Sequence, residues 1–132
     1  MRAGSAFTTG QVERLDHAAA VAGEQSGLLF SIVIGPAEGD GREDAERLLA
    51  GVVDGRAVGA VLVLVDPGAR RLEIVTNAIA RRRVDDQACA LAALSMTTSF
   101  TVGDLVGGVV TGLRMLAEAA GSVANAPAEI AG

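Results

Sequence analysis

"SFTVGDLVGGVVTGLRML" (residues 99–116) has apolar residues at helical spacing, yet it holds glycine at 103, 107, 108 and 112. Four glycines inside one helix would cost on the order of 2–4 kcal/mol relative to alanine, so something must offset that cost. In a helix running from about Val102 to Ala120, Gly103 falls in the first turn, where the penalty is small. Thr101 and Asp104, three residues apart, form a carboxylate capping box at that start. Gly108 and Gly112 are four apart and share one face, which brings the backbone close to a sheet or a neighbouring helix. Leu105, Val109, Leu113 and Leu116 fill the core beside them. What looks at first like a phosphate-cradling loop therefore reads as a close-packed helix.

The same periodicities organise the chain upstream. Val12, Leu15, Ala19 and Ala22 recur at helical spacing behind a capping box of Thr8 and Gln11, and Gly27 stops that helix. "LLFSIVI" (28–34) is a short apolar run that reads as a buried strand. Asp40 or Gly41 caps a second helix over 42–53, with Ala45, Leu48, Leu49 and Val52 on one face. "GAVLVLV" (59–65) is apolar on both faces and belongs at the centre of a sheet, and "RLEIVT" (71–76) alternates as its hairpin partner across the turn "DPGAR". Proline presets φ in that turn and glycine is free to take a positive φ. Asp85 or Asp86 starts a third helix that continues to about Thr98. A strand–helix–strand unit over 28–65 gives a parallel crossover and 59–76 an antiparallel hairpin, so the sheet is mixed. The expected fold is a layered, Rossmann-like α/β/α domain in the order α-β-α-β-β-α-α, spanning 8–120, with flexible termini at 1–7 and 121–132.

Composition bounds function. The chain has 132 residues, half of them apolar, which suits one domain with an aliphatic core. Eleven basic residues against sixteen acids leave a net charge of −5, and there is neither tryptophan nor tyrosine, which argues against nucleic acid as a partner. Cys89 is the single cysteine, so no internal disulfide or cysteine-based zinc site can form. No apolar run approaches the roughly 20 residues of a membrane span, and "MRAGSAFTTG" lacks the apolar core of a signal peptide, so a soluble cytoplasmic protein is expected.

The closing helix resembles the last motif of the TPM domain superfamily, F-x-x-G-D followed by G-[LV]-x-x-G-x-x-x-L, at Phe100, Gly103, Asp104, Gly108, Val109, Gly112 and Leu116. "EQSGLLFSIVIG" and "GAVLVLVDPGARRLEIVT" resemble that superfamily's first-strand passage and central hairpin. The text is also similar to that of a small, soluble, uncharacterised actinobacterial branch of the superfamily. The resemblance implies a TPM-like fold; some relatives are described as acid phosphatases or as binding calcium through acidic residues. Two of the family's polar positions are absent: Asp-Asn-Gly before the central strand is here "RAVGAV", and Gly-Tyr-Gly-x-Glu after the hairpin is "VTNAIARR".

Asp66 is placed at the carboxyl end of a central strand, where open α/β sheets take their ligands. Arg70, Arg71, the 35–41 loop and Asp104 are expected at the same end. Asp66, Arg70, Arg71 and Asp104 are therefore the candidate ligand-binding residues, and Asp40, Asp66 and Asp104 the candidate ligands of a hard cation, calcium or magnesium. Asp66 is also what a Pro-Gly turn favours at its first position, and Asp104 what a helix start favours. "ARRRVDD" (80–86) offers arginines to a phosphate or a solvated loop before a capped helix. His17 has no orienting partner and Cys89 no group to lower its pKa. The preferred reading is a non-catalytic binding or interaction module. The alternatives are a divalent-cation-dependent phosphomonoester hydrolase using Asp66, Asp104 and Asp40 with Arg70 or Arg71, and a homo-oligomer joined through the glycine-bearing face.

Overall fold

Thr8 opens the first helix as the sequence requires: its hydroxyl accepts from the Gln11 amide at 3.1 Å while the Gln11 side chain accepts from the Thr8 amide at 2.9 Å. In this computed structural model, residues 7–37 and 39–122 are described; apart from Phe7, Gly121 and Ser122, the two expected flexible ends lie outside them. The elements are α1 (Thr9–Ser26), β1 (Leu29–Ile34), α2 (Arg42–Val53), β2 (Ala60–Asp66), β3 (Arg71–Thr76), α3 (Ala78–Arg81), α4 (Asp86–Thr101) and α5 (Leu105–Ala120). The layered α/β reading holds, with one short helix, α3, added to the expected order.

The sheet order is β1-β2-β3, with β1 parallel to β2 and β2 antiparallel to β3. Every residue of β2 is buried, as its two-sided apolar sequence demands of a central strand. Helix α2 covers one face, where Ala45 and Leu49 meet Ala60, Leu62, Leu64 and Val75. Helices α1, α4 and α5 cover the other, over Phe30, Ile32, Ile34, Val61, Val63, Val65 and Ile74.

The helix junction at 101–105 differs from the capping-box expectation. Helix α4 runs on to Thr101, whose hydroxyl donates to the Thr98 carbonyl at 2.6 Å, so it is not available as a cap. Gly103 lies in the link with φ +83° rather than in a helical turn, and Asp104 is itself the N-cap of α5, accepting from the Gly107 amide at 3.1 Å. Reversing the chain between two packed helices needs a left-handed residue, and glycine supplies it without steric strain. In the "DPGAR" turn the positive φ falls on Arg70 at +53°, not on glycine.

The close approach expected at Gly108 and Gly112 is made to α4. A Cβ at Gly108 would lie 2.7 Å from Ser99 Cβ and 3.2 Å from the Met96 carbonyl oxygen, and one at Gly112 would lie 2.6 Å from Met96 Cγ. The face that carries Gly108 and Gly112 is thus packed on α4 within the chain.

Candidate functional site

Asp66 ends β2 and is 7% exposed. One carboxylate oxygen accepts from the Ala37 amide at 3.1 Å and the other from the Ala69 amide at 3.2 Å. Arg71 Nη2 lies 3.6 Å from Asp66 Oδ2 and donates to the Ala37 carbonyl at 3.1 Å, while Nη1 donates to the Gly39 carbonyl at 2.9 Å. Together these two side chains clasp the β1–α2 loop to the β2–β3 turn. The amides of Ala37 and Ala69 hold the Asp66 carboxyl below its ordinary value of 3.8, and Arg71 assists against the opposing effect of burial.

The remaining candidates at this end are dispersed. Asp40 is exposed ahead of α2, where its carbonyl accepts from the Glu43 amide at 3.2 Å, and Arg70 is exposed in the turn. Asp104 caps α5. Among the described residues no three or more His, Cys, Asp or Glu side chains come together in a group able to hold a metal ion. Asp40, Asp66 and Asp104 are thus not assembled into the expected cation site; Asp66 and Asp104 each accept from backbone amides instead.

The clasp has a pH signature. Since folding lowers the Asp66 pKa, its contribution is present above the unfolded value and is lost as pH falls through the lower folded one. Urea unfolding should therefore show Asp66→Asn less stable than wild type at neutral pH, with the gap closing in acid below the ordinary carboxylate value. A gap that stays constant into strong acid would contradict the clasp.

Two roles were not legible in the sequence. The Asn77 side chain accepts from the Ala60 and Ala80 amides, each at 3.0 Å, and donates to the Val58 carbonyl at 2.7 Å, tying the start of α3 to the start of β2. In "ARRRVDD" the arginine that matters is Arg83, which bonds the last carbonyls of α1 and α5 at once: Ser26 at 2.6 Å and Ala120 at 3.0 Å. Asp85 caps α4 through the Ala88 amide at 2.9 Å. Cys89 is half-buried, and burial pushes its thiol up, with Asp86 and Asp85 adding to the effect, so it has no nucleophile's character.

With their C-terminal ends side by side, α1 and α5 run parallel. Between them lies an open groove of about 640 Å³, within the usual size range of ligand pockets. Ala18, Val21, Ala22, Val110 and Ala117 supply its apolar lining. These side chains are mostly too small to close the space between two helix backbones. Arg14 and His17 from α1 and Arg114 from α5 stand around it, together with Gln25 and Glu118. Arg14 and Arg114 form no ion pair among the described residues, although the chain has a net charge of −5. On each helix these positions recur at three- and four-residue steps, a pattern that becomes a site only when the helices lie parallel.

Residues 2–117 match the family described as Domain of unknown function (DUF5130). The chain belongs to the DUF5130 family. As a DUF5130 member it shares its fold with several bacterial domains solved by NMR. The BA42 protein of the psychrophile Bizionia argentinensis superposes with a TM-score of 0.76 at 15% identity, covering 86% of this chain and 81% of that one. The N-terminal domain of a P. gingivalis protein gives 0.73 at 16% identity, covering 87% and 76%. The N-terminal domain of the Corynebacterium glutamicum cg2496 protein gives 0.70 at 10% identity, covering 92% and 79%. No described helix of this DUF5130 chain is long and apolar enough to cross a membrane.

Proposed function

We propose that this DUF5130 domain is a non-catalytic binding module whose α1/α5 groove takes a small amphiphile with an anionic head group. The observation that carries this reading is the pair Arg14 and Arg114, without a carboxylate partner within ion-pair distance among the described residues yet placed around one apolar-lined concavity. An apolar tail would displace water from Ala18, Val21, Ala22, Val110 and Ala117, while the two guanidiniums meet a carboxylate or phosphate. His17 adds a donor at the same rim. The TPM-like text of the closing helix supports the same fold for this reading, and the chemistry rests on the groove.

Calorimetric titration with decanoate tests it. Wild type should bind, Arg14→Gln/Arg114→Gln should bind about tenfold or more weakly from the loss of charge-assisted bonds, and decyltrimethylammonium should bind more weakly than decanoate. Equal affinity of decanoate for the wild type and the double variant would overturn the reading.

A further inference from the structure

Strand β3 lies at an edge of the sheet, paired with β2 alone among the described residues. The Asn77 amide donates to the Ala60 carbonyl at 3.1 Å, and this bond sets the alternation of the ladder. Counting back in twos, Val75, Glu73 and Arg71 exchange bonds with Leu62, Leu64 and Asp66, so Leu72, Ile74 and Thr76 turn their backbone groups away from β2. The Thr76 carbonyl accepts from Arg81 Nη2 at 3.0 Å. The amides and carbonyls of Leu72 and Ile74 have no hydrogen-bond partner among the described residues. They open onto a groove of about 260 Å³ whose other wall is α4, with Cys89, Ala90 and Ala93. The side chains of Leu72 and Ile74 lie on the α4 side of the sheet, and Glu73 lies on the other, 3.7 Å from Arg42 Nη1. An extended segment beside β3 would meet small side chains on one face and a charged pair on the other.

We infer that this edge is a docking surface for an extended segment of a partner protein, which adds to β3 as an antiparallel strand. The backbone groups select the occupant. Two amides and two carbonyls, repeating about 7 Å apart along a strand, are satisfied together by another extended backbone and by no compact ligand. The walls select its side chains: small and aliphatic toward Ala90 and Ala93, polar toward Glu73 and Arg42. A second copy fits less well. Pairing β3 on β3 would put both α4 helices on one face of the joined sheet, in the space that each groove leaves for a single strand.

Amide hydrogen exchange, with and without the blocked peptide Lys-Thr-Val-Thr-Val-Thr-Glu, reads this directly. In the free protein the Leu72 and Ile74 amides should exchange about tenfold or more faster than those of Glu73 and Val75, which bond to β2. Saturating peptide should slow Leu72 and Ile74 by about tenfold or more. Methylating its valine nitrogens removes the donors that face β3 and keeps the side chains, so binding should weaken by about tenfold or more. Protection of Leu72 and Ile74 in the free protein would overturn the inference, because the edge would already be covered by another part of the chain or, where protection grows with concentration, by a second copy. So would exchange at these amides unchanged at about 1 mM peptide, or equal binding of the methylated peptide.

Discussion

Replacing Gly108 with leucine should destabilise the fold by about 3 kcal/mol or more, the upper range for overpacking a tight helix contact. The first atom of the new side chain would lie 2.7 Å from Ser99 Cβ and 3.2 Å from the Met96 carbonyl oxygen. Both belong to the backbone frame of α4 and cannot rotate aside, so α4 and α5 must move apart. The effect is specific to what lies opposite. At Gly112 the obstruction is the Met96 side chain, which has rotamers to search even though it is buried. Gly108→Ala should therefore be the more harmful of the two alanine changes. At either position alanine regains about 1 kcal/mol of helix propensity, which moderates the loss. Urea unfolding of the three variants checks the order; wild-type stability in Gly108→Leu would contradict the close packing of α4 on α5.

Arg83→Met should cost about 3 kcal/mol, since a charged donor is removed from carbonyls that are left without a partner. Its Nη1 donates to Ser26 at 2.6 Å, its Nε and Nη2 to Ala120 at 3.2 and 3.0 Å, and Nη2 also to Gly121 at 3.0 Å. Those carbonyls are the negative ends of two parallel helices, where a cation is stabilising twice over. Methionine keeps much of the apolar stem, so the loss isolates the guanidinium. Arg83→Lys should recover only part of it, because a point ammonium cannot span both helix ends. Thermal unfolding measures the totals, and amide exchange should quicken at residues 24–27 and 117–121. Wild-type values in Arg83→Met would contradict a clamp by Arg83 across the two helix ends.

Features carried by local chemistry were legible from sequence alone. The Thr8–Gln11 box, α2 over 42–53, β3 over 71–76 and a helix start at Asp85 or Asp86, which the structure resolves to an Asp85 cap, each depend on residues within a few positions of one another. The buried centre of the sheet was also readable, because β2 is apolar on both faces. Long-range roles were not. Arg83 reaches partners 37 and 57 residues away, and Asn77 reaches across 17 and 19. Helix α3 has only four residues, too few to show a period. Asp66 was correctly placed at a strand end, but its commitment to the Ala37 amide depends on how the β1–α2 loop returns. The groove is not legible in the sequence because alanines on α1 and α5 look like ordinary core residues until the parallel pairing of the two helices leaves a trough between them.

We propose that a ligand is taken in the α1/α5 groove and not at the sheet end. Following backbone amide shifts by NMR during a decanoate titration tests it most directly. Movement is expected along 14–25 and 110–122, with residues 35–37, 66–71 and 104–107 at rest. Shifts concentrated around Asp66 and Asp104, with the α1/α5 amides unmoved, would contradict it.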